Sequence, residues 1–138
     1  METLQWTDAL SVGLAEIDND HKKLVEMLNA LIVASRDGSE RIRIGKILDE
    51  LISYTSWHFR HEERLMQTYR FKGFMAHKNE HAGLIEQAAS LQKAFHANQA
   101  EITLEVLEFL RNWLTHHILE TDLELGTFLK PKLSGASH

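Results

Sequence analysis

Residues 44–66 read IGKILDELISYTSWHFRHEERLM, and apolar side chains recur there at Ile44, Ile47, Leu48, Leu51, Tyr54, Leu65 and Met66. That spacing is the stripe of an amphipathic helix, expected from about Arg41 to Tyr69. The gap in the stripe is filled by His58 and Glu62, one turn apart on the same face. An imidazole and a carboxylate therefore stand where core contacts belong.

The same interruption recurs along the chain. A first helix is expected from Asp18, a good N-cap, to about Arg36, with Asp37-Gly38-Ser39 as stop and turn. Its stripe is Leu24, Leu28, Leu31 and Ser35, and His21 precedes Leu24 by one turn. Gly73 breaks the pattern before a third helix, about Met75 to Ala97, which buries Leu84, Ala88, Leu91 and Phe95. His77 and His81 extend that stripe backwards. A fourth helix, about Glu101 to Leu119, runs on Ile102, Val106, Phe109, Leu110, Trp113 and Leu114, and His117 takes the next stripe position. A short fifth helix near Leu123–Leu129 is expected to end at Pro131, the only proline. The arm from Met1 to about Ile17 lacks a sustained helical period and is expected to lie extended against the bundle, and residues 134–138 to fray. Short loops make neighbouring helices antiparallel, so the expected fold is all-α: an up-down-up-down four-helix bundle, one domain over residues 1–133.

Composition narrows the chemistry. The chain has no cysteine, which excludes thiolate metal sites, thiol catalysis and disulfides. A net charge of −5 with interspersed signs gives no basic stripe, so nucleic acid is not an expected partner. Glu2 and Asp8 stand where a secretory leader needs a positive start, and no run approaches the ~18 apolar residues of a membrane span. A cytoplasmic protein with no membrane-spanning segment is expected. Nothing in the surface pattern requires a dimer, so a monomer is expected.

Taken singly, a histidine on an apolar stripe is usually a hydrogen-bonded core residue, and His58 with Glu62 is readable as a surface pair. Together they are harder to accommodate. Burying five imidazoles and two carboxylates costs several kcal/mol per unpaired charge, and no Lys or Arg shares the stripes. A metal cluster compensates. If two carboxylates bridge two octahedral ions and each imidazole binds one, a bridging oxide or hydroxide leaves one of the twelve positions open, the outline of a dioxygen site. The second carboxylate is the least secure: Asp122 follows His117 by five residues, about 140° round a regular helix. It joins the cluster only if the helix ends or bulges between them; otherwise it is a solvated residue at a helix end.

The runs Leu4-Gln5-Trp6, Ile17-Asp18 before His21, His58-Phe59-x-x-Glu62-Glu63-x-Leu65-Met66, His77-x-x-Glu80-His81 and Trp113-Leu114-x-x-His117-Ile118-x-x-x-Asp122 resemble the hemerythrin pattern, in particular its bacterial single-domain branch. The resemblance covers nearly the whole chain. It implies two iron ions bridged by oxide or hydroxide, with His21 and His58 on one, His77, His81 and His117 on the other, and Glu62 and Asp122 across both. It further implies reversible dioxygen binding for storage or delivery, at the iron with two histidines, under an apolar lining of Phe59, Trp113 and Leu114. Phe74-Met75 and Leu84 depart from the family's commoner turn and aromatic residue without touching a ligand position.

Three rival functions stand beside dioxygen storage or delivery: a sensor, a di-iron oxidase or peroxidase, and an iron or nitric oxide scavenger, the last of which uses the same centre and is not separable by sequence. A sensor needs an attached output domain, and few residues follow Pro131; a di-iron oxidase or peroxidase needs more inward carboxylates than two. The free-standing carrier is therefore the expectation, with no catalytic residues. Away from the site, His61 and His116 fall off the stripes and read as surface residues, the alternative being a proton relay or a contact behind a ligand, and His96 and His138 are left unassigned. Glu63, Glu80, Glu120 and Glu124 read as solvated faces, with Glu120 or Glu124 the candidates to accept a ligand imidazole N–H.

Overall fold

The computed structural model describes residues 2–135. Its helices are α1 (Ala15–Arg36), α2 (Arg41–Thr68), α3 (Phe74–His96), α4 (Leu104–His116) and α5 (Leu123–Gly135), with a π-helical segment, His117–Asp122, joining α4 to α5. The four-helix bundle read from the stripes is present. Cross-links between α2 and α3 fix their antiparallel register: Arg41 near the start of α2 bonds the carbonyl of Phe95, Asp49 accepts from Gln92 and His96, and Glu63 pairs with His81.

Three helices close alike. Gly38, Arg70 and Asn98 take φ of 71°, 57° and 60°, and the next N–H returns to a carbonyl five residues earlier: Ser39 to Ala34, Phe71 to Met66, Gln99 to Ala94. This satisfies carbonyls that a helix end would otherwise leave open.

Helix ends differ from the sequence reading in three places. Asp18 is not the cap of α1, which starts at Ala15 after Leu14. Its carboxylate accepts from the arm instead, Val12 N–H at 2.8 Å and Ser11 Oγ at 2.5 Å. The fourth helix begins at Leu104 rather than Glu101, because Thr103 Oγ1 accepts Val106 N–H at 3.2 Å and caps it there. The last helix passes through Pro131 to Gly135, anchored by Leu125 and Leu129, both fully buried. Phe109 is 45% exposed, and Leu107 takes the buried place. The arm is extended apart from one 3-10 turn, Asp8–Leu10, and the Asn29 side chain bonds both N–H and C=O of Leu4 at 2.8 Å. Of the tail expected to fray, residues 134 and 135 instead continue the backbone of α5, and residues 136–138 lie outside the described residues.

The core has two apolar clusters. One follows α1, α2 and α4 through Leu24, Leu28, Leu31, Leu48, Leu51 and Leu114; the other gathers Met66, Leu125 and Leu129. Along α2 and along α4 to α5, polar side chains are buried between the clusters: His58, Glu62, His117 and Asp122.

Candidate metal centre

With His21 on α1 and His77 and His81 on α3, those polar residues make up the seven expected donors, six from the stripes and Asp122 as the conditional one. His21, His58, Glu62, His117 and Asp122 are fully buried, and His81 and His77 are 2% and 3% exposed. The i,i+4 spacings put His58 with Glu62 and His77 with His81 on one face each, the latter rings 4.5 Å apart. Donor atoms converge in two groups, each within 4.8 Å: Glu62, His77, His81, His117 and Asp122; and His21, His58, Glu62 and Asp122. The two carboxylates belong to both groups.

Asp122 reaches the cluster through the bulge the spacing called for. Each turn of a π-helix takes in an extra residue, so residues five apart share a face as residues four apart do in an α-helix. The segment His117–Asp122 is such a turn. Asp122 then offers one oxygen to each group: Oδ2 lies 2.6 Å from His21 Nε2, and Oδ1 lies 2.9 Å from His117 Nε2 and 3.1 Å from His77 Nε2. Glu62 Oε1 lies 3.0 Å from His81 Nε2 and 3.5 Å from His58 Nε2.

Many of these contacts are close without being hydrogen bonds. His58 Nε2, His81 Nε2, Glu62 Oε2 and Asp122 Oδ1 are buried with no hydrogen-bond partner among the described residues. Buried polar atoms are seldom left so, and four in one cluster fit a shared cation. The donor set is nitrogen and oxygen only, which suits a borderline ion such as iron.

Electrostatics agree. Burial raises Glu62 and Asp122, and the charge of Asp122 raises Glu62 further, yet the surrounding imidazoles hold both well below the ordinary carboxylate range. Burial alone would lower the histidines; Glu62 and Asp122 instead push His58 up to about 10, His77 up to about 9 and His117 well above its usual value. The pocket demands positive charge, supplied by protons or by metal.

The proposed lining residues stand against the ligands. Phe59, 2% exposed, stacks on His81 with centroids 3.8 Å apart and planes 4° apart. Trp113 stacks on His117 at 4.7 Å and 13°. Leu114 and Trp113 also line an apolar cavity of about 50 Å³ with Leu24, Leu28, Leu51 and Leu84.

Four polar residues escaped the sequence reading. Asp20, 6% exposed, accepts His58 Nδ1–H at 2.8 Å. Glu63 and Glu80 are not solvated faces: they meet His81 Nδ1 at 2.9 Å and His117 Nδ1 at 3.1 Å. His61 is not a free surface residue, since its Nδ1 lies 2.6 Å from Asp20 Oδ2 and its Nε2 2.5 Å from Glu16 Oε1. Among the described residues Glu120 pairs with exposed His116 and with no site histidine. The signal was adjacency, for Asp20, Glu63 and Glu80 each stand beside a stripe residue of the site, but their partners lie on other helices.

Comparison with known proteins bears on these donors. The profile of the Hemerythrin HHE cation binding domain matches residues 12–129. A bacteriohemerythrin of Methylococcus capsulatus is 41% identical over 94% of this chain and 98% of that protein, and one of Stenotrophomonas maltophilia is 34% identical over 97% and 86%. A crystal structure of wild-type hemerythrin superposes with a TM-score of 0.87 at 38% identity, covering 91% of this chain and 97% of the other. No helix among the described residues is long and apolar enough to cross a membrane. By profile, relatives and fold alike, the chain belongs to the hemerythrin family, whose members are non-haem iron, oxygen-binding proteins rather than enzymes.

Proposed function

We propose that this protein binds dioxygen reversibly at a di-iron centre, for storage or delivery. In this reading His21 and His58 would hold one iron, His77, His81 and His117 would hold the other, and Glu62 and Asp122, common to both donor groups, would be shared between them. The observation that carries it is the sharing of two buried carboxylates by two converging donor groups, which one metal ion does not need. The approach of Asp122 Oδ2 to His21 and of Oδ1 to His117 supports the bridging role. When bound, the iron pair supplies the electrons that reversible dioxygen binding requires.

The chain's own part is orientation and exclusion. Phe59 and Trp113, stacked on His81 and His117, hold two imidazole planes and cover them with hydrocarbon. Leu114 continues that cover into the apolar cavity. A dry lining keeps water and protons from the site, which favours release of intact dioxygen over irreversible oxidation. All seven donors come from one chain, so a monomer is sufficient.

Elemental analysis of purified protein is expected to give two irons per chain, and the reduced protein to colour on exposure to oxygen and bleach on degassing. One metal per chain, or prompt oxidation that degassing does not reverse, overturns the proposal.

A further inference from the structure

We propose that Asp20, Glu63 and Glu80 are positioning residues, each of which sets one metal-binding imidazole on the neighbouring helix; the inference rests on the di-iron reading above. The pattern is regular. Asp20, next to His21 on α1, takes His58 Nδ1 on α2 at 2.8 Å; Glu63, next to Glu62 on α2, takes His81 Nδ1 on α3 at 2.9 Å. Glu80, next to His81 on α3, takes His117 Nδ1 in the π-helical segment at 3.1 Å. Each helix thus serves the next from the position beside its own site residue.

The fourth seam is open. Beside His117 stand Ile118, fully buried with a side chain that has no acceptor, and His116, exposed and paired with Glu120 on its own helical run. Correspondingly, His21 Nδ1 is buried with no hydrogen-bond partner among the described residues. His21 is then the one imidazole of this cycle held by its inner nitrogen alone.

Two of the carboxylates are braced from behind. Asp20 Oδ2 also receives His61 Nδ1 at 2.6 Å, and Glu80 receives the Thr121 hydroxyl at 2.9 and 3.0 Å. An imidazole is free to turn about its ring torsion. A carboxylate on Nδ1–H selects the orientation with Nε2 inwards and makes that nitrogen a stronger donor.

The test compares Asp20→Ala, Glu63→Ala and Glu80→Ala with wild type, with Asp20→Asn, Glu63→Gln and Glu80→Gln as variants that keep an acceptor and disturb folding least. Chelator competition on the Fe(II)-loaded proteins is expected to show affinity about 10–100-fold lower in each alanine variant, with the amide variants losing less. Proton NMR of the Zn(II)-loaded protein is expected to show slowly exchanging imidazole N–H signals from His58, His81 and His117 but not His21. Each alanine variant is expected to lose the signal of its own partner histidine only. Unchanged affinity with all three signals retained overturns the inference, and so does a lowered Tm with the N–H pattern intact. A wild type that takes up neither metal refutes the di-iron reading instead, and the inference with it.

Discussion

Two glycines inside helices are expected to respond oppositely to alanine. Gly126 on α5 faces the arm: a Cβ there would stand 2.4 Å from the carbonyl oxygen of Val12 and 2.9 Å from its Cβ. Backbone at that distance cannot rotate away as a side-chain tip can, so the arm or α5 must shift. Overpacking of this kind costs about 1–3 kcal/mol, against a helix-propensity gain of about 0.5–1 kcal/mol for Gly→Ala. At mid-range the clash wins, leaving a net loss of about 1.3 kcal/mol, or roughly 4–5 °C in Tm for a domain of this size, and up to about 2.5 kcal/mol if the backbone gives little. Gly83 on α3 is exposed, and a Cβ there meets nothing within 4 Å. Only the propensity gain remains, so Gly83→Ala is expected to raise Tm by about 2–4 °C. Thermal unfolding followed by circular dichroism measures both, in one metal state throughout, because bound metal raises Tm by mass action. A Gly126→Ala protein as stable as wild type refutes the close approach of α5 to the arm, and with it the seat of the helix one turn beyond Asp122.

The metal-free protein should depend on pH in both directions. The raised His58, His77 and His117 contribute stability that is complete below about pH 6.5 and is lost as pH climbs through about 9 to 10. The depressed Glu62 and Asp122 contribute stability present above their ordinary values and lost in acid. Urea midpoints are therefore expected to peak near pH 5–6.5 and to fall on both sides, whereas metal affinity rises with pH as bound metal displaces protons; a midpoint flat from pH 6 to 10 contradicts the charge pairing. Phe59→Ala removes a 2%-exposed ring stacked on His81 and is expected to cost about 3–5 kcal/mol in urea unfolding of the metal-free protein. A loss under about 1 kcal/mol would mean that the ring packs loosely.

How much of this was written in the sequence follows from the range of each interaction. A helix converts spacing into direction, so His21, His58, Glu62, His77, His81 and His117 were legible as inward-facing from the 3.6-residue period alone. Asp122 was legible only as a condition, because five residues share a face only in a wider turn, and the π-helical backbone of His117–Asp122 supplies it. The pairs Asp20 with His58, Glu63 with His81 and Glu80 with His117 were not legible. Each joins two helices, and the register that brings them within 2.8–3.1 Å is fixed by how whole faces pack. The same applies to Asp18, whose partners Val12 and Ser11 are set by the path of the arm, and to Phe109, left 45% exposed while Leu107 is buried. The sequence alone determined which side chains turn inward, since that is a property of each helix by itself; tertiary structure decided which of them meet, since packing side by side has no period to read.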